Sequence, residues 1–261
     1  MFYLITYQNK KIEIFYLPAS ITCGIGLLYV YDNKERLIYL LKAVIFDMDG
    51  LMIDTERLTV KIWGRLGREY GYSGIPEAAP HTMGLRKDAS KKFFSEHFGK
   101  EFPFDEFMGK SSAISEKYLR TNGVPVMPGL FELLDFLKSK KLLLAVATST
   151  ARERAMFCLN DIDAAKYFDK IICGDMVEKS KPDPDIYLKT AAALGAAPSS
   201  CAVLEDSPNG AAAGIAAGMA TVMVPDLAAP DENLRKSLFA CVGSLTETVP
   251  IFDKMLCGCR A

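Results

Sequence analysis

Two carboxylates one residue apart close an apolar run in Val44-Ile45-Phe46-Asp47-Met48-Asp49-Gly50. The run has the β-branched and aromatic make-up of a buried strand. Acids at the mouth of such a strand repel each other and resist desolvation. They persist most easily with a cation between them or with a proton on one of them, which is the chemistry of a metal-assisted site. A tight turn is the competing reading, because Asp-Gly is a hairpin signal. Spacing argues against a calcium loop. An EF-hand places its acids at loop positions one, three and five and its glycine at six, and Gly50 comes too early for that.

Composition bounds what can surround this pair. The chain has 261 residues, 50% of them hydrophobic, enough for a sizeable core in one large domain or two smaller ones. With 31 basic and 32 acidic residues and a net charge of −1, it lacks the basic footprint that neutralises a nucleic-acid backbone. Its 7 cysteines are odd in number and scattered. Cys257 and Cys259 form the one close pair and complete no zinc spacing. Free thiols, and hence a cytoplasmic protein, are the expectation. His81 and His97 lie apart and form no metal motif.

Residues 12–31 are largely apolar and follow Lys10 and Lys11. Glu13, Pro18, Thr22, Gly24 and Gly26 interrupt them, and Asp32, Lys34, Glu35 and Arg36 follow at once. No membrane partner is expected on that pattern. Gly24-Ile25-Gly26 lacks the third glycine of a dinucleotide fingerprint. Residues 1–41 are expected to be an N-terminal extension, either an extra strand or hairpin or a segment outside the native product. No Met lies between Met1 and Met48.

From residue 42 the pattern alternates. Strand-like runs at 43–46, 142–147, 170–173, 201–204 and 220–224 are interleaved with helix-like stretches at 130–140, 152–160, 184–194 and 209–217. This predicts an α/β fold: a Rossmann-like parallel sheet with helices on both faces. Residues 55–122 break the alternation. They read as helical at 56–70, 87–98 and 104–120, with Gly71, Gly74, Pro76 and Pro80 marking one connection and Gly99 and Pro103 another. A strandless stretch of about 70 residues exceeds what one crossover needs, so an inserted α-helical cap domain is expected over 55–122. The catalytic core then comprises 42–54 and 123–250, with 251–261 as a C-terminal tail. The small-residue helix from Gly210 to Gly218 lacks the Gly-Lys-Ser/Thr ending of a phosphate loop and reads as close helix–sheet packing.

The remaining unusual polar residues fall on this scheme at one place. Asp47 and Asp49 follow the first strand, Thr148 and Ser149 end the second, Lys181 lies beyond the third, and Glu205 and Asp206 end the fourth. In an open α/β sheet the carboxyl edge of the strands is where ligands bind. Each cluster has a plainer role available. Thr148 or Ser149 can cap a helix, Lys181 can be a solvated loop lysine, and Glu205-Asp206 can cap the helix that follows. Together they make a chemical set. Carboxylate oxygens suit a hard divalent cation, magnesium taking few protein ligands plus waters and a phosphate. A hydroxyl and a lysine can hold the remaining phosphate oxygens.

On these residues the chain resembles the haloacid dehalogenase superfamily, in its helical-cap phosphatase and β-phosphoglucomutase-like branch, over about residues 42–250. Asp47-Met48-Asp49-Gly50 looks like the first motif, Thr148 the second, Lys181 the third and Glu205-Asp206 the fourth. The resemblance implies that Asp47 attacks phosphorus and becomes an aspartyl-phosphate. It implies that Asp49 protonates the leaving alkoxide and then deprotonates water. Mg2+ would be held by Asp47, the Asp49 main-chain carbonyl and Asp206, with Glu205 direct or through water. Thr148, the Ser149 amide and Lys181 would neutralise the phosphoryl group.

Within the superfamily the residues discriminate. Dehalogenases lack the second acid of the first motif, and Asp49 is present. Phosphonate hydrolases use a cap lysine, for which Lys87, Lys91 and Lys92 are the candidates. β-Phosphoglucomutases carry a histidine four residues after the first-motif threonine, where this chain has Thr59, and a basic residue where it has Met83 before Gly84. The stretch from Thr82 to Asp88, and Glu56, look more like sugar-phosphate phosphatases. Glu56, Arg86 and Lys87 are candidate substrate contacts of the cap. The expectation is a Mg2+-dependent phosphomonoester hydrolase of a small phosphorylated metabolite, a sugar phosphate, acting as a monomer. A phosphosugar mutase is the alternative, and a non-catalytic phosphate-binding protein comes third.

Overall fold

A computed structural model describes residues 2–7, 10–16, 28–32, 36–39, 41–82 and 87–257. The strands are β1 (Phe2–Tyr7), β2 (Lys10–Tyr16), β3 (Leu28–Asp32), β4 (Arg36–Tyr39), β5 (Ala43–Phe46), β6 (Leu143–Ala147), β7 (Lys170–Ile172), β8 (Cys201–Glu205), β9 (Ala220–Met223) and β10 (Ala240–Cys241). The helices are α1 (Thr55–Tyr70), α2 (Ile75–Thr82), α3 (Lys87–Phe98), α4 (Phe104–Asn122), α5 (Leu130–Ser139), α6 (Arg152–Asp161), α7 (Asp185–Leu194), α8 (Pro208–Ala216), α9 (Glu232–Ser237) and α10 (Thr248–Cys257). β1 to β4 pair antiparallel in chain order as a sheet of their own, a longer meander than the strand or hairpin expected there.

The other six strands form the expected parallel sheet, in the order β10-β9-β8-β5-β6-β7. β5 is its centre and all four of its residues are buried. Side chains alternate across the pleat. Val44 and Phe46 join one hydrophobic cluster, with Leu133 and Leu137 of α5 and Phe252 of α10. Ala43 and Ile45 join another, with Ile186 and Tyr187 of α7 and Ala213 of α8. A strand buried on both sides needs a continuous apolar run rather than alternation, because helices cover both faces. That is the run in the sequence.

Register decides where the polar residues land. Phe46 pairs with Val146 of β6 and with Leu204 of β8. The three central strands therefore end level, and the residues just beyond them are neighbours in space.

Between β5 and β6 the chain forms α1 to α5, with no strand among the described residues. An aromatic cluster holds α1, α3 and α4 together. Trp63 meets Phe94 edge-on at 5.4 Å and Phe107 at 6.1 Å, geometries favoured by the ring quadrupole. The Trp63 indole N–H donates to Ser111 Oγ at 2.8 Å, so the one polar atom of this buried ring is satisfied. Residues 75–82, expected as part of a connection, are instead α2. Pro76 stands in its first turn, where the missing N–H is not needed.

Three features at the C-terminal end also differ from expectation. The boundary at residue 250 falls inside α10, whose Phe252 and Met255, three apart, are buried against the core, so 251–257 continue a packed helix. β10 and α9 are too short to leave a periodic pattern in sequence. Among the described residues no helix is long and apolar enough to cross a membrane.

Candidate active site

The level strand ends open into a cavity of about 610 Å³ between the sheet edge and helices α1, α3 and α4. Asp47, Asp49, Thr148, Ser149, Lys181 and Asp206 all line it, as do Glu56 and Lys87. Glu205 lies immediately beneath, fully buried. Arg86 falls outside the described residues.

Lys181 is the hub. It is 3% exposed, and its ammonium donates to Asp47 Oδ1 at 2.5 Å, to the Ala147 carbonyl at 3.0 Å and to Glu205 Oε1 at 2.6 Å. All three of its N–H bonds are used, and the Tyr187 ring lies 5.0 Å away. Burial alone favours loss of its proton, but Asp47 and Glu205 hold its pKa well above the ordinary lysine value. Lys181 is therefore a fixed cation rather than a solvated loop lysine.

Glu205 is bonded on both oxygens. Oε1 accepts from Lys181 and from the Tyr187 hydroxyl at 2.7 Å. Oε2 accepts from the Asp206 amide at 3.1 Å, the Ser207 amide at 3.1 Å and the Ser207 hydroxyl at 3.0 Å. Against burial, which pushes it up, Lys181 and these donors keep its pKa below the usual glutamate range. Gly210 makes this possible: a Cβ there would stand inside the Glu205 carboxylate. The glycine read as a packing residue is thus a space-maker for the site, while Gly214 packs against Val203 and Thr221 as expected.

Asp47 and Asp206 face the cavity with less compensation. Burial pushes Asp47 up to about 7, with Glu205 and Asp49 adding to the rise and Lys181 opposing it. Asp206 is raised well above the carboxylate range by burial, Glu205 and Glu56. Carboxylate oxygens of Asp47, Glu205 and Asp206 lie within 4.8 Å of one another. One ammonium against three buried carboxylates leaves an excess of negative charge, and all the donors are hard oxygens. This donor set fits a divalent cation. The approach is close because Gly50, with φ at +81°, has no side chain: a Cβ would overlap the Asp206 carboxylate and press on Glu56. Glu56, in the first turn of α1, lies beside the acidic cluster and is pushed up to about 9 by burial and by Asp49 and Asp226.

Asp49 has different partners. Thr55 Oγ1 donates to its Oδ1 at 2.6 Å and Thr150 Oγ1 to its Oδ2 at 2.7 Å. Hydroxyls can donate to a carboxylate and, by rotating, accept from a carboxylic acid. Asp49 can thus gain and lose a proton without losing its position. Thr148 is buried and accepts the Thr150 amide on Oγ1 at 3.1 Å. Ser149 is exposed to the cavity, with its backbone packed so closely on Gly174 that a Cβ there would overlap its carbonyl. Lys87 is 71% exposed and paired with Asp105 at 2.8 Å.

Sequence reasoning missed several members. Thr150 had a signal, as the third hydroxyl of Thr148-Ser149-Thr150. Tyr187 had none, since one tyrosine on the buried face of a helix is ordinary. Arg154 of α6 also lines the cavity and carried no signal within the helix-like stretch 152–160.

Residues 44–224 match the family model described as haloacid dehalogenase-like hydrolase. The chain is 34% identical over 183 residues to the "Phosphorylated carbohydrates phosphatase" of Thermotoga maritima, covering 69% of this chain and 82% of that protein. It is 36% identical over 196 residues to the "Probable pseudouridine-5'-phosphatase" of Drosophila melanogaster, covering 70% of this chain and 80% of that one. Among solved structures, β-phosphoglucomutase from Clostridium difficile superposes with a TM-score of 0.69 at 24% identity, over 82% of this chain and 97% of that one, which is a likeness of fold. With the level strand ends, the acid pair and the buried lysine in place, this chain belongs to the haloacid dehalogenase-like hydrolases.

Proposed function

We propose that the protein is a magnesium-dependent phosphatase that hydrolyses a small phosphomonoester, a sugar phosphate, through a phosphorylated Asp47. One observation carries this reading. A buried carboxylate, Asp47, is fixed by Lys181 at the floor of a cavity of ligand size, with a second acid, Asp49, held two residues away on two hydroxyls.

In the first step an Asp47 oxygen forms a bond to phosphorus while the bond from phosphorus to the ester oxygen breaks. Asp49 gives its proton to the departing alkoxide. In the second step water attacks phosphorus, Asp49 takes the proton, and the Asp47 ester bond breaks to release orthophosphate. The Thr148 hydroxyl and the Ser149 amide hold the phosphoryl oxygens, and Lys181, whose three N–H bonds go to Asp47, Ala147 and Glu205, adds its positive charge beside them. Asp47, Asp206 and the Asp49 main-chain carbonyl would hold magnesium, which when bound neutralises charge on the phosphoryl group. Glu205, with donors already on both oxygens, orders the Asp206 amide and Lys181.

A sugar phosphate is favoured by hydroxyl-bearing residues of the wall, Thr59, Ser90, Ser112 and Thr150, and by the activity for which the Thermotoga relative is named. Thr59 lines the cavity where the mutases carry histidine, which favours hydrolysis.

The test is phosphate release across sugar phosphates, nucleotides and phosphoglycolate, with magnesium and with EDTA. The expected result is metal-dependent release, fastest from sugar phosphates. Conversion of a hexose 1-phosphate without net release would make it a mutase, and no turnover of any compound would sink the catalytic reading.

A further inference from the structure

The cavity is much larger than a phosphate group, and its far wall has a character of its own. Three basic side chains line it among the described residues: Lys87, Arg154 and Lys181. Lys181 is neutralised by Asp47 and Glu205, and Lys87 by Asp105. Arg154 has no carboxylate partner among the described residues. Among the described residues its one polar contact is Nη2 donating to Ser115 Oγ at 3.0 Å. Ser115 is buried on α4, so this bond fixes the guanidinium between α6 and the cap helix. A guanidinium has five donors in a planar fork suited to a pair of acceptor oxygens. A half-buried cation with only a neutral partner forgoes much of its hydration with little in return.

Space for a ligand to reach it is present. Gly109 and Ser112 line the same cavity on α4, and a Cβ on Gly109 would meet nothing within 4 Å. The body of a substrate whose phosphoryl group lies at Asp47 can therefore extend along α4 toward Arg154.

We propose that Arg154 is a specificity-determining residue that receives a second anionic group on the body of the substrate, a carboxylate or a further phosphate. The substrate class is then phosphorylated sugar acids or sugar bisphosphates rather than neutral sugar monophosphates. This rests on the phosphatase reading above. Its physical basis is that an ionised acceptor on a preorganised guanidinium makes a hydrogen bond about twice as strong as a neutral one, while a hydroxyl leaves the charge uncompensated.

The experiment uses the full chain with magnesium and compares kcat/KM for glucitol 6-phosphate, 6-phosphogluconate, fructose 1,6-bisphosphate and p-nitrophenyl phosphate. The expected result is a preference of about 10-fold or more for one of the two doubly anionic compounds over glucitol 6-phosphate. Whichever of the two is preferred tells carboxylate from phosphate. Arg154→Met should reduce that preference to near unity, chiefly through KM, and Arg154→Lys should restore part of it. Ser115→Ala, which keeps the arginine but frees it, should raise KM for the doubly anionic compound by a smaller factor, and it decides the matter should Arg154→Met fail to fold. A wild-type preference for the neutral phosphate, or an equal loss on all four compounds in the variants, overturns the inference and leaves the phosphatase reading standing. No release from any compound, p-nitrophenyl phosphate included, overturns both.

Discussion

At Glu205 five donors from four residues converge on one fully buried carboxylate, and the backbone opposite has no side chain to get in the way. This arrangement makes Gly210 a sharper probe than the acids themselves. Gly210→Ala improves helix propensity by roughly 1 kcal/mol, yet its methyl group would occupy the place of the Glu205 carboxylate. The overlap should win. We expect a net loss of about 1–3 kcal/mol of stability and a fall in phosphate release of about 10-fold or more, because Lys181 and Asp206 shift with Glu205. Chemical denaturation and initial rates measure the two, and unchanged values in both would show that Glu205 does not organise the site. The acids were legible in sequence because each is a charge where an apolar strand ends, and Lys181 because it lies in the connection beyond the third strand. Tyr187 and Gly210 were not, because a tyrosine and a glycine in helices have ordinary reasons to be there. The hydrogen bond of Tyr187 to Glu205, and the overlap that a Cβ on Gly210 would make with it, distinguish them.

The elements that carry these residues were readable to different degrees. The parallel sheet followed from apolar runs separated by amphipathic stretches, and the observed order, with β5 between β6 and β8, explains why clusters far apart in sequence meet. α2 was hidden because Pro76 and Pro80 resemble loop punctuation, although a proline in a first helical turn costs little. α10 was cut at residue 250 because its short amphipathic run meets the chain end, and its packing partners lie on α5 and the sheet. At this scale the cavity mouth makes a pH-dependent prediction. Asp105, in the first turn of α4, pairs with Lys87 and Lys91 of α3, and hydrogen bonds from both lower its pKa from 3.8 to about 2. A carboxyl depressed on folding stabilises the fold above its unfolded pKa, and that contribution disappears as pH falls through the folded value. Asp105→Asn should therefore lower the thermal midpoint by the same amount at pH 7 and pH 5, with the difference shrinking between about pH 4 and pH 2. Salt should shrink it too, since the pair is exposed. A difference that grew on acidification would mean that Asp105 is not held by these lysines.

Taken whole, the molecule sets a rigid sheet edge against four helices, with the chemistry in the gap. One buried hydrophobic cluster runs through both parts, and the Arg57–Asp226 ion pair joins α1 to the sheet side. Arg154 bonds Ser115, Arg120 lies 4.6 Å from the Phe157 ring centroid, and Asp161 accepts the Val124 amide at 2.8 Å where the chain returns to the sheet. Keeping bulk water out of this gap would protect a reactive intermediate. The intermediate itself is the central claim, because it makes Asp47 a nucleophile and not merely a metal ligand. The direct measurement is rapid acid quench of the full chain turning over a 32P-labelled sugar phosphate in magnesium, followed by peptide mapping. The account predicts protein-bound label, labile to hydroxylamine, on the peptide that contains Asp47, and neither label nor phosphate release in Asp47→Asn with the fold intact. Label-free turnover in wild type together with full activity in Asp47→Asn would contradict it.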